Sequence, residues 1–159
     1  MLKAIKKGLK DQRGLTLIEL LAVVVILGII SAIAVPSIGG LIDNSKKDAH
    51  VANAQQMVSS AKLALTTDAT LQEGTHFLTL GYLEDQKFLD PVSDPDGTDA
   101  GYIKGGTEKV SSLTDTNVSF VKIAGGKVES VKLVNATRGV QTKTKTSVAV
   151  KDLKRGAVN

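Results

Sequence analysis

From Leu20 to Val35 every residue is aliphatic except Gly28 and Ser31, and the run reaches back to Leu15 with only Thr16 and Glu19 polar. These 21 residues carry one charge, and as a helix they rise about 30 Å, enough to cross a bilayer. Pro36 follows, with no backbone N–H to donate and a ring that clashes with the preceding turn; Gly39 and Gly40 weaken the helix further. Residues 35–42 are therefore where the helix is expected to melt or bend. Beyond them Ala54, Met57, Val58, Ala61, Ala64 and Leu65 recur at the spacing of one helical face, with Asn53, Gln55, Gln56, Ser59, Ser60 and Lys62 largely elsewhere. The helix is expected to run to about Leu71, its second half forming the bed of a globular head.

After Gly74 the pattern turns to short strands. In VSFVKIAGGKVESVKLV, Gly125-Gly126 suits a two-residue hairpin turn. With Ala124 opposite Lys127, Lys122 faces Glu129, Phe120 faces Val131 and Val118 faces Leu133. That apolar patch is expected to pack on the helix face from Ala54 to Leu65. A third strand is read in the alternation from Val140 to Val150. The predicted class is α+β: a long N-terminal helix, apolar in its first half, packed in its second half on a small antiparallel β-sheet.

Composition changes this picture in two ways. The chain of 159 residues has no cysteine, which excludes disulfide scaffolds, thiolate metal sites, cysteine nucleophiles and cysteine-linked lipid anchors. Its net charge of +4 comes entirely from residues 1–14, where Lys3, Lys6, Lys7, Lys10 and Arg13 stand against Asp11; the remainder balances to zero. The basic pI thus belongs to a short tail, and bulk attraction of the whole chain to nucleic acid is not supported. The same tail, placed before the apolar run, holds the N-terminus in the cytoplasm and sends everything after Pro36 outside.

Three readings compete for the apolar segment. A cleaved secretory signal would use Ala32-Ile33-Ala34 as its small-residue site, but its apolar region would be long and would contain Glu19. A plain single-pass anchor fits the length and leaves an acid in the membrane at a cost of roughly 2 to 3 kcal/mol or more. The third reading uses every odd feature. Residues 12–27, QRGLTLIELLAVVVIL, resemble the class III signal of type IV prepilins and pseudopilins: a short basic leader ending in Gly14, a cleavage point before Leu15, and Glu19 as the fifth residue beyond it. Pro36 lies where that family has its helix-kinking proline, whereas Leu15 departs from the more usual Phe. The resemblance is strong from residue 8 to about 45 and fades to architecture afterwards. It implies a prepilin peptidase that cuts between Gly14 and Leu15 and methylates the new amine, with Glu19 of the same or an adjacent subunit as that amine's partner. It divides the chain into a cleaved leader (1–14), a transmembrane and assembly helix (15–42, with Glu19, Pro36, Gly39 and Gly40 as its marked positions) and an extracytoplasmic head (43–159).

The head offers weaker chemistry. Residues 81–103 read as a turn-rich loop with Glu84, Asp85, Asp90, Asp94, Asp96 and Asp99 against Lys87. Asp94, Asp96 and Asp99, with Gly97 between them, could gather oxygen ligands for calcium, as major secretion pseudopilins do near there, although EF-hand spacing is not met. Residues 138–159 are basic, with Arg138, Lys143, Lys145, Lys151, Lys154 and Arg155 against Asp152. Lys143, Lys145, Lys151 and Lys154 form a candidate contact patch for DNA or for the acidic loop of the next subunit, and no aromatic interleaves them as a base-stacking platform. His50 and His76 lack neighbouring ligand motifs and read as ordinary surface, and no catalytic constellation is visible.

The resemblance implies a structural subunit of a type IV pilus-like filament for adhesion, motility or surface interaction, built as a helical homopolymer by a membrane assembly platform with a cytoplasmic ATPase, from monomers stored in the membrane. The rivals are a competence pseudopilus subunit that takes up DNA, a type II secretion-like pseudopilin, and a membrane-anchored binding module. The lack of a C-terminal disulfide pair, which many Gram-negative pilins carry, fits a Gram-positive source.

Overall fold

The computed structural model describes residues 16–113 and 117–159. The chain divides into two units, Met1–Ile42 and Asp43–Asn159. Helix α1, Leu17–Thr67, begins in the first and ends in the second. In the first unit its large side chains are exposed, from Leu17 at 89% to Ile42 at 52%, and the segment is long and apolar enough to cross a membrane. The expected melting at residues 35–42 does not occur, since the helix continues through Pro36, Gly39 and Gly40. One missing N–H removes one bond from a ladder that flanking aliphatic turns sustain.

In the second unit the helix buries the predicted face, with Ala54, Met57, Ala61 and Ala64 wholly inaccessible, and adds His50, Val51 and Ser60 to it. The helix ends at Thr67 rather than near Leu71. Thr66 and Thr67 turn their hydroxyls back onto the carbonyls of Leu63 (2.7 Å) and Ala64 (3.0 Å), offering the chain local bonds that compete with further helix. Asp68 then adopts extended backbone and caps a 3-10 turn, Ala69–Gln72, by accepting from the Thr70 N–H at 3.0 Å.

The sheet has the order β1 (Thr75–Thr79), β2 (Phe120–Ala124), β3 (Lys127–Val134), β4 (Gly139–Val140), with β5 (Val148–Ala149) also paired to β3, and every pairing is antiparallel. The hairpin turns where expected, on Gly125 (φ 53°) and Gly126 (φ 71°), a positive pair that glycine adopts without strain. Ala124 faces Lys127, but a bulge between Lys122 and Ile123 shifts the register, so Val121 faces Val131 and Phe120 faces Lys132. The apolar patch is corrected accordingly. Val121 and Ile123, not Phe120 and Val118, join Val131 and Leu133 in the core that includes the α1 face. Phe120 instead meets Phe77 edge-on at 5.5 Å. The Lys122–Glu129 pair forms at 2.7 Å despite the slip.

Two further expectations are revised. The alternating stretch from Val140 to Val150 is not one strand but two short ones joined by a turn. Thr142 N–H donates to the Thr146 carbonyl at 2.9 Å, the Thr142 hydroxyl bonds those of Thr144 and Thr146, and Lys145 takes φ 61°. Residues 81–103 are also not all loop: helix α2, Leu80–Asp85, opens on Thr79, whose hydroxyl accepts from the Tyr82 N–H at 3.0 Å, and it buries Leu80 and Leu83.

Candidate functional site

Gly14 and Leu15, the expected cleavage point, lie outside the described residues, as does the leader. The first described turn carries the chemistry next to it. Thr16 is followed three residues later by an acid, the reciprocal pattern that satisfies orphan donors at a helix start. The Thr16 N–H donates to Glu19 Oε2 at 2.8 Å and the Thr16 hydroxyl at 2.7 Å, while the Glu19 N–H reaches the Thr16 hydroxyl at 3.3 Å. The lone acid of the apolar run thereby has partners within its own helix. Pro36, Gly39 and Gly40 lie on exposed helix, and among the described residues no atom outside the local helix comes within 4 Å of a Cβ built at either glycine.

In the head, the acidic loop is neutralised in part by its own chain. Glu84 pairs with Lys104 at 2.6 Å. Asp94 and Asp96 turn inward, with side chains 2% and 10% exposed, whereas Asp99 is exposed and apart from them. Of the expected calcium triad, two members meet and the third does not. The group that completes the cluster is His50, which is fully buried rather than ordinary surface; it lies together with Asp94 and Asp96. The signal was available in part, since His50 falls four residues before Ala54 on the buried helix face, although nothing in the spacing tied it to a loop over forty residues away.

Arg138, counted by sequence among the basic tail, belongs to this cluster. Its Nη2 and Nε donate to Asp96 Oδ1 (2.5 Å) and Oδ2 (2.9 Å), and its Nη1 donates to Asp43 Oδ1 at 2.5 Å. The Arg138 bonds, assisted by Asn135 and His50, hold the Asp96 carboxyl well below the usual carboxylate range despite burial, and the same pair of carboxylates raises the guanidinium. For Asp94, burial pushes upward but the bonds from Thr98 and Asn135 outweigh it, and the carboxyl stays lowered. Lys143, Lys145, Lys151 and Lys154 are exposed and form no ion pair among the described residues. Arg155 pairs with Asp48 of α1. The basic stretch is therefore split, its arginines bound to the helix and its lysines facing solvent. His76 bonds the Glu73 carbonyl at 2.8 Å.

Residues 9–35 match the prokaryotic N-terminal methylation motif. That motif is the class III signal of type IV pilins and pseudopilins, and the chain carries it. The long N-terminal helix, apolar at its start, with a small antiparallel sheet in the head, is a pilin-like α+β arrangement. No solved structure matches the chain. A structural rather than enzymatic family, processing by a prepilin peptidase and a single-pass membrane-anchored precursor all accompany the motif.

Proposed function

We propose that this chain is the structural subunit of an extracytoplasmic filament of the type IV class, serving adhesion, motility or surface interaction. The observation that carries the reading is the methylation motif at residues 9–35, which takes in the exposed apolar first part of α1, where Glu19 is the one acid before Asp43. The basic leader keeps the N-terminus in the cytoplasm. Cleavage after Gly14 leaves a cationic, methylated amine on Leu15, and an amine buried among aliphatic side chains needs a carboxylate. Both bonds that Thr16 donates fall on Glu19 Oε2, so the carboxylate can hold its own helix start and still receive the amine of a neighbouring subunit. Stacking transfers the apolar helices from lipid to one another without exposing them to water, and a heterologous contact repeated without closure gives a filament. A membrane platform driven by a cytoplasmic ATPase supplies the work of extraction.

Shearing cells and probing the released filaments tests this. The mature chain is expected in the sheared fraction, Gly14→Val is expected to leave uncut membrane precursor, and Glu19→Ala is expected to be cut but not assembled. Normal filaments from both variants would overturn the reading. The exposed lysines of the C-terminal stretch favour, as a second reading, a pseudopilus that contacts DNA.

A further inference from the structure

The cluster on the first turns of the head's helix has the outline of a metal site, because ligand atoms of His50, Asp94 and Asp96 lie within 4.8 Å of one another. Groups so far withdrawn from water cannot be left as bare anions; a positive charge must sit among them. Arg138 provides it, engaging both oxygens of Asp96 and reaching on to Asp43. Its position is fixed by the turn before it, where Asn135 Oδ1 accepts the N–H groups of Thr137 (2.8 Å) and Arg138 (2.7 Å). The Asn135 amide meanwhile donates to Asp94 at 2.9 Å and to Asp96 at 3.0 Å.

The imidazole is committed as well. A carboxylate only accepts, so His50 Nε2, 3.0 Å from Asp96 Oδ2, carries the proton. Nδ1 then accepts from the Tyr102 hydroxyl at 2.8 Å, and that hydroxyl receives the Asn53 amide at 3.0 Å. Coordinating an ion through Nε2 would require moving that proton and reversing the chain behind it. The charges also close. Asp43, Asp94 and Asp96 face Arg138, Lys47 (2.8 Å from Asp43) and Lys46 (3.9 Å from Asp96), which leaves no surplus of negative charge to draw a divalent ion.

We propose that Arg138 is the resident cation of this cluster: its guanidinium fastens the loop of residues 93–102 to the head's helix as a bound metal would, and its removal opens a divalent-cation site at His50, Asp94 and Asp96. The head then needs no calcium, and the latent site, with one imidazole nitrogen and two carboxylates, suits zinc better than calcium. The clasp is independent of whether the chain polymerises.

The test is thermal melting of the full chain in detergent with EDTA, calcium or zinc. The wild type is expected to melt at one temperature in all three. Arg138→Gln is expected to melt on the order of 10 °C lower in EDTA, because a buried carboxylate loses its partner, and to regain part of that loss saturably with zinc. Adding Asp96→Asn is expected to abolish the zinc response. Arg138→Lys, whose ammonium cannot fork onto Asp96 and span to Asp43, is expected to melt between the two, and it carries the test if the Gln variant does not fold. A wild type stabilised by calcium or zinc, a Lys variant as stable as wild type, or a folded Gln variant blind to zinc would overturn the proposal.

Discussion

Replacing Gly139 by Ala probes how tightly the C-terminal part of the head is fitted. A Cβ built there lies 2.2 Å from the Leu133 carbonyl oxygen, 2.6 Å from Val134 Cα and 2.7 Å from Val134 Cγ1. Two of those atoms are backbone of the neighbouring strand, which no rotamer change can move. Restoring ordinary contact at 3.4 Å requires β4 to retreat from β3 by about 1 Å. That stretches the backbone pairing of Leu133 with Val140 beyond bonding range, Gly139 itself being bonded to Asn159 on its other side. Two backbone bonds at a net of about 1 kcal/mol each, with partial re-exposure of Val140, wholly buried here, at about 1 to 2 kcal/mol, sum to roughly 3 kcal/mol. For a head of this size that lowers the melting midpoint by on the order of 10 °C while leaving it folded. Gly156 is the control on the same segment, since a Cβ there meets nothing within 4 Å among the described residues and Ala should change stability by less than about 0.5 kcal/mol. Urea unfolding followed by circular dichroism measures both. Equal stabilities for the two variants would refute the close packing of β4 on β3.

A fragment beginning at Asp43 should be soluble and folded, because the unit from Asp43 to Asn159 contains both the helix face and the sheet that buries it; a disordered fragment by circular dichroism would misplace the boundary. Acid should weaken the head. The Lys109 and Thr70 bonds hold the Asp68 carboxyl down to about 2, Arg138 lowers Asp96, and Lys47 and Arg138 lower Asp43. Carboxyls depressed in the folded state stabilise it above their unfolded value near 4 and lose that contribution as pH falls through the folded value, so urea midpoints should be flat above about pH 5 and fall towards pH 2; a midpoint that rises on acidification would contradict the ion pairs. Purified filaments should not bind duplex DNA specifically. If Lys143, Lys145 and Lys151 did neutralise phosphates, the log-log salt slope would be roughly −3 and charge removal would flatten it, and a salt-sensitive sub-micromolar complex would favour DNA uptake.

The long helix, its buried face and the Gly125-Gly126 turn were legible because each depends on short-range pattern: an aliphatic run, a 3.6-residue period, and two glycines at a tip. The clasp was not. Asp43, His50, Asp96 and Arg138 come from three separate stretches, and Arg138 looked like one more cation of a basic tail until the fold carried it 95 positions back to Asp43. The register slip at Ile123 was equally hidden, since an extra residue at a bulge leaves no mark in an alternating strand and yet exchanges Phe120 for Val121 on the core face. The threonines between Val140 and Val150 alternate as a strand would, but their hydroxyls bond one another across a turn.

The most direct measurement is the intact mass and N-terminal sequence of the protein recovered from cells. A filament subunit of the type IV class should begin at Leu15 with one added methyl group. A chain that retains Met1, or one that begins at Val35 after the Ala32-Ile33-Ala34 site, would contradict that assignment.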